Sequence, residues 1–228
     1  MNKIKNTLIA VIAITFLSTS AFAGSVGFGV TGSIAIIEGS GSDNDGTSTG
    51  ANATSETNRE ANASNNVGIG SVFAEYIFDG DHGMTFGIDW IPGSADVNSK
   101  KLSRTDATAD AGETDQDDGT YTAQAEVENH MTYYAELPIH GGLYVKAGLV
   151  EMDVNTTETS IGGTYGNTSV DGTLLGLGYK VGLGDSSYYK LEGTQTAFDT
   201  ITLGSTTNNQ VKADLDVTKL TFALGYKF

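Results

Sequence analysis

From Lys219 to the last residue the chain alternates without a break. Leu220, Phe222, Leu224, Tyr226 and Phe228 hold one set of positions, and Lys219, Thr221, Ala223, Gly225 and Lys227 hold the other. Only an extended strand sorts a two-residue period onto two faces. The same split recurs in Met84, Phe86, Ile88 and Trp90 against Thr85, Gly87 and Asp89. It recurs again in Leu175, Leu177, Tyr179 and Val181 against Gly176, Gly178 and Lys180, and in Val72, Ala74, Tyr76 and Phe78 against Ser71, Phe73 and Glu75. A chain made of such strands must bury its apolar faces together or turn them to lipid.

Strand patterns of this kind fall near residues 25–37, 67–78, 83–92, 120–137, 143–153, 169–183, 187–198 and 211–228. The connections at Asp79-Gly80-Asp81-His82, Pro138 to Gly142 and Gly184-Asp185-Ser186 are short, while those at 38–66, 93–119, 154–168 and 199–210 are long. Strict alternation of short and long connections predicts an all-β, closed, antiparallel up-and-down transmembrane barrel, with tight turns at one end and long loops at the other. Eight strands account for the pattern. Ten stay open, because the third and fourth long connections have room for another hairpin.

Ahead of the strands, Lys3 and Lys5 precede an apolar run from Leu8 to Leu17 and then Ala21-Phe22-Ala23. This is the three-part form of a secretory signal, so residues 1–23 are expected to be a signal peptide cleaved after Ala23, and residues 24–228 one outer-membrane β-barrel domain. The run is about half the ~20 residues that a spanning helix needs, and no later segment reaches that length, so any crossing of a membrane must use strands. The chain has no cysteine, which excludes disulfides, thiolate metal sites and cysteine nucleophiles. Its formal charge of −16 excludes a nucleic-acid partner, which demands clustered Lys and Arg.

Alternation alone does not say which face meets water. Tyr76, Phe78, Phe86, Tyr133, Tyr179, Tyr189, Tyr226 and Phe228 are read near the short-turn ends, where a membrane-interface girdle belongs, and this favours an apolar face turned outward to lipid. The competing arrangement is a soluble, lipocalin-like periplasmic barrel whose apolar residues line a ligand cavity.

The glycine-rich opening Gly24-Ser25-Val26-Gly27-Phe28-Gly29-Val30 and the ending Leu224-Gly225-Tyr226-Lys227-Phe228 resemble those of the small outer-membrane β-barrels of the OmpA-like and opacity-like superfamily. The resemblance covers the whole of residues 24–228. It implies a bacterial outer-membrane location with both termini periplasmic and the long loops extracellular. It further implies that Phe228, with Tyr226, belongs to the signal read by the barrel-assembly machinery, and that outer-membrane lipid and lipopolysaccharide are the surroundings.

With the apolar face outside, Glu75, Asp89, Glu126, Glu128, His130, Glu136, Lys146, Lys180, Lys190, Glu192, Lys219 and Lys227 are expected on inward positions. Charges of both signs in a narrow lumen predict an internal ion-pair network that closes the barrel rather than an open hole. Outside the strands, Glu38 to Asn66 holds five acids and one Arg, and Gly93 to Asp118 holds seven acids against Lys100, Lys101 and Arg104. Asp43, Asp45, Asp115, Asp117 and Asp118 are candidate ligands for Ca²⁺ or Mg²⁺, which could bridge to lipopolysaccharide, although neither cluster has the spacing of a calcium-binding loop. No cofactor and no catalytic residue are expected. His82 and His140 read as turn residues and His130 as an inward strand residue, so no Ser–His pair is apparent. A structural or surface-interaction barrel working through its acidic loops is the leading reading. A small-solute, porin-like channel is the alternative, and a lipid-modifying enzyme stands behind both.

Overall fold

A computed structural model describes residues 24–44, 58–79, 83–96, 102–106, 119–159, 166–204 and 210–228; residues 1–23, expected to be a signal peptide, lie outside them. The described residues form eleven strands: β1 (Gly24–Asn44), β2 (Asn58–Phe78), β3 (Thr85–Trp90), β4 (Ser94–Asp96), β5 (Leu102–Asp106), β6 (Gly119–His140), β7 (Leu143–Thr159), β8 (Thr168–Leu183), β9 (Ser187–Phe198), β10 (Ile201–Gly204) and β11 (Gln210–Lys227). They make eight staves. β3, β4 and β5 lie in series along β6 as a broken third stave, and β9 and β10 lie in series along β11. Every pairing is antiparallel, and β11 pairs with β1 from Gly27↔Lys227 to Asn44↔Gln210, so the sheet closes. The expected eight-strand up-and-down barrel is the fold found.

The strands run further than expected, and into stretches read as loops. β1 continues to Asn44 and β2 begins at Asn58, so much of 38–66 is paired strand. β4, β5 and β10 fall inside the expected loops 93–119 and 199–210, and β6 runs through Pro138 to His140. These stretches are rich in Gly, Ser and Asn, whose weak strand preference is overridden by continuous ladders on neighbouring staves. The turn after β6 is then only Gly141-Gly142, both at positive φ (58° and 93°), as a two-residue hairpin with two left-handed positions requires.

Along the staves of β1, β6, β7 and β11 the polarity of the alternation reverses once. In β11 the outward residues near the turn end are Leu220, Phe222, Leu224 and Tyr226, 47–57% exposed, while Thr221 and Ala223 are buried. Beyond Thr218 the outward residues are Asp216, Asp214 and Lys212, and Val217, Leu215 and Val211 turn inward. β1 reverses between Ile36 and Glu38, and β7 between Leu149 and Glu151. The barrel therefore has two zones. A band at the turn end is apolar outside and polar inside, as a bilayer demands, and a collar beyond it is polar outside and apolar inside, as water demands.

In β6 the reversal is made by a bulge. Between the pairs Glu128↔Asp153 and Met131↔Glu151 one extra residue enters, and Asn129 takes a φ of 55°. Asn tolerates this left-handed conformation better than most residues. The bulge shifts every later position by one.

Aromatic residues gather near the turns, with Phe28, Tyr226 and Phe228 exposed and Tyr76 only 2% exposed. Tyr76 and Phe78 meet edge-on at 4.9 Å, Phe78 and Phe86 at 5.9 Å, Tyr226 and Phe228 at 4.9 Å, and Phe28 and Phe228 at 6.3 Å. Tyr133 sits higher, opposite Ile88 and Leu149.

Candidate functional site

The centre of the lumen is filled by ionic side chains from five staves. Glu75 on β2 is fully buried, with Gly27 and Gly87 as its cross-strand neighbours on both sides. Its Oε2 accepts from Tyr134 Oη at 2.8 Å and pairs with Lys190, and its Oε1 accepts from Tyr188 Oη at 2.8 Å and lies 3.5 Å from Lys180 Nζ. Lys190 also reaches Glu136 Oε1 at 2.5 Å, and Lys180 reaches Glu136 Oε2 at 2.9 Å. Beside this quartet, Lys146 Nζ donates to Glu192 Oε2 at 2.7 Å and Tyr144 Oη to Glu192 Oε1 at 2.6 Å. Lys146 lies over the Tyr134 ring at 4.0 Å and joins the two groups.

Three carboxylates and three ammonium groups thus face one another, and each buried charge has an opposite partner. Burial of ions is repaid only when hydrogen bonds occupy the remaining lone pairs, and the three tyrosine hydroxyls do this for Glu75 and Glu192. The result is a plug with no net charge.

The tyrosines fit because glycines face them. Tyr134 is opposite Gly87, Tyr144 opposite Gly178, and Tyr188 opposite Gly225. A Cβ on any of these glycines would fall inside the facing ring. Gly87→Ala is therefore expected to displace Tyr134 from Glu75 and lower stability by about 1–3 kcal/mol, as overpacking does. Gly193→Ala, where nothing lies within 4 Å of an added Cβ, is the control expected to show no loss. Urea unfolding of the refolded pair in lipid vesicles reads the difference.

Of the residues expected in the lumen, Glu75, Glu136, Lys146, Lys180, Lys190 and Glu192 come together in the plug. Asp89 stands apart from it and accepts from Ser71 Oγ at 2.7 Å. Lys227 lines a cavity of about 310 Å³ at the turn-end mouth. His130 and Lys219 line a second cavity, of about 230 Å³, in the collar.

Glu126 and Glu128 are corrections. The Asn129 bulge puts them on the face of Asp153 and Asn155, opposite the buried Val154, and Glu128 accepts from Asn155 Nδ2 at 2.5 Å. They belong to the acidic exterior of the collar. Tyr134, Tyr144 and Tyr188 were not among the expected site residues, yet each stands two positions before a plug charge (Glu136, Lys146 and Lys190) and so on the same face.

Among the candidate metal ligands, Asp45, Asp115, Asp117, Asp118 and the side chain of Asp43 lie outside what the structure describes, as does His82. Among the described residues no cluster of three or more His, Asp or Glu could hold a metal ion. His140 is exposed at the end of β6. His130 Nδ1 has no hydrogen-bond partner, so the orienting contact of a triad histidine is missing at that nitrogen.

A closed sheet with an apolar outer band and an ion-paired interior is a membrane β-barrel, and the soluble, lipocalin-like arrangement is overturned by the outward exposure of Leu220, Phe222 and Leu224. The chain belongs to the outer membrane protein beta-barrel domain family, whose sequence model matches residues 9–228, and so to the bacterial outer membrane. Similar solved structures include three outer-membrane proteins. The outer membrane protein OprG of Pseudomonas aeruginosa shares 16% identity over 91% of this chain and 97% of its own, with a TM-score of 0.42. The attachment invasion locus protein Ail of Yersinia pestis shares 12% over 87% and 99%, with a TM-score of 0.36. The outer membrane protease OmpT of Escherichia coli shares 10% over 92% and 100%, with a TM-score of 0.42. Comparison with curated protein sequences gives no match.

Proposed function

We propose that this protein is a plugged, non-enzymatic outer-membrane barrel that acts as a surface-interaction stem. In this reading the turn end and both termini face the periplasm, and the collar and long acidic connections face outward. The observation that carries it is the plug: a neutral, hydrogen-bonded set of six charges occupies the lumen where a solute would have to pass. Eight staves leave an interior that side chains can fill. Above the plug, Glu38, Glu128, Glu151, Asp171 and Asp216 stand on the outward face of the collar. A stem with this anionic rim suits a cationic partner, drawn in by long-range attraction, or divalent cations shared with lipopolysaccharide.

The test is single-channel conductance of the refolded protein in a planar bilayer, with heat-modifiable gel migration as proof of folding. A folded but silent protein is the expected result. Reproducible openings would overturn the plugged reading in favour of a small-solute channel. Protease treatment of whole cells is expected to cut within 45–57, and protection there would reverse the topology.

A further inference from the structure

The collar cavity has two features that its role as packing does not require. The first is its chemistry. Its walls are apolar side chains such as Ile69, Val127, Met152, Leu174 and Phe198, yet Lys219 and His130 also face it. Lys219 makes no hydrogen bond or ion pair among the described residues, and His130 Nδ1 is buried without a partner. The acids nearest Lys219 are Asp89 and Glu192, which share a gap of about 10 Å³ with it. Glu192 is already engaged by Lys146 and Tyr144, and Asp89 accepts from Ser71 through Oδ2 while its buried Oδ1 has no hydrogen-bond partner. Glu128 also borders the cavity, but its carboxylate is held by Asn155 on the outward face of the collar. A cation and a vacant donor or acceptor nitrogen at the foot of an apolar chamber complement an anionic head on an apolar tail.

The second feature is a break in the ladder of the wall among the described residues. β2 pairs with the third stave only from Val72↔Trp90 to Ile77↔Thr85, while β4 and β5 pair with β6 alone. Among the described residues the edge of β2 from Asn58 to Ser71 therefore has no ladder on that side. Pro92, which has no N–H to donate, stands where β3 ends. Val67 and Ile69 on one lip of this seam and Ile91, Pro92 and Ala95 on the other all line the cavity. The seam starts directly above Val72 and Trp90, which are 42% and 43% exposed on the outer surface at the top of the apolar band. Among the described residues no ladder therefore closes this side of the chamber at the edge of the bilayer, while the plug closes the route beneath it.

We infer that the collar cavity binds a single-chain aliphatic carboxylate, with its head at Lys219 and His130 and its tail leaving into the bilayer between β2 and β4, just beyond the β2–β3 ladder. At about 230 Å³ the chamber is smaller than the ~300–1,000 Å³ that encloses a whole drug-sized ligand, so only the head and first carbons lie inside. This goes beyond the surface-interaction role and does not depend on it.

Trp90, the one tryptophan of the chain, stands at the seam and reports on it. The full chain is refolded into lipid nanodiscs and titrated with stearic acid carrying a nitroxide near its head, and in parallel with the methyl ester of the same compound. Saturable quenching of Trp90 is expected from the acid at a concentration about tenfold or more below that needed with the ester, the difference that a charge-assisted contact makes. Lys219→Met is expected to abolish that preference while heat-modifiable migration stays normal. Equal quenching by acid and ester in the wild type would mean simple partition into the bilayer and would overturn the site without any variant. A preference that survives Lys219→Met would put the head elsewhere and overturn the assignment. Conductance reads the plug independently, so the two proposals fail separately.

Discussion

Glu75→Ala is expected to destabilise the folded barrel by about 3–5 kcal/mol, the range for removing one member of a buried, hydrogen-bonded ion-pair cluster. Glu75 is fully buried and holds two ammonium groups and two tyrosine hydroxyls. Without it, Lys180 and Lys190 share Glu136 alone, the plug carries one uncompensated positive charge, and the Tyr134 and Tyr188 hydroxyls lose their acceptor. The urea midpoint in lipid vesicles, followed by Trp90 fluorescence, should fall clearly. Replacing Glu75 and Lys190 together by leucine should recover most of the loss, since removing an ion pair as a whole is far less damaging than removing half. An unchanged midpoint in Glu75→Ala would mean that water enters and solvates the lumen.

The second large effect lies on the other face. Phe222→Arg is expected to lower the stability of the inserted barrel by about 2–4 kcal/mol, the depth-dependent penalty for a cation near the bilayer midplane. Phe222 is 47% exposed, stacks on Tyr189 at 6.0 Å and pairs with Gly32, the middle of the outward run Phe28, Val30, Gly32, Ile34 and Ile36. Lys212→Glu, on the outward face of the collar, is the comparison: it lies beyond the apolar band and should leave insertion unchanged. Refolding yield into vesicles measures both. Normal insertion of Phe222→Arg would contradict the lipid-facing assignment.

The two faces differ in how plainly the chain displays them. β11 can be read almost position by position, because Leu220, Phe222, Leu224 and Tyr226 have no competing pattern around them. The collar is harder. Asp216 and Asp214 beside Leu215 and Val217 keep the two-residue period but reverse its polarity, and around Glu38 the reversal coincides with Gly and Ser, so the strand looks like its own end. The inward tyrosines were legible only in hindsight: Tyr133-Tyr134 and Tyr188-Tyr189 are adjacent, so one of each pair has to leave the lipid face.

What the sequence determined by itself is the local part. Alternation makes strands, the rhythm of short and long connections makes an up-and-down barrel of eight staves, and parity brings Glu75, Glu136, Lys146, Lys180, Lys190 and Glu192 to one face. Tertiary structure decided the rest, because the rest depends on closure. A period of two is the same whether lipid or water lies outside, so only the closed sheet says which face is which. One residue inserted at Asn129 is invisible to composition, yet it carries Glu126 and Glu128 from the lumen to the surface. The pairing of Glu75 with Lys190, 115 residues apart in sequence, exists because the second and seventh staves face each other across a lumen narrow enough for one side chain to reach the next.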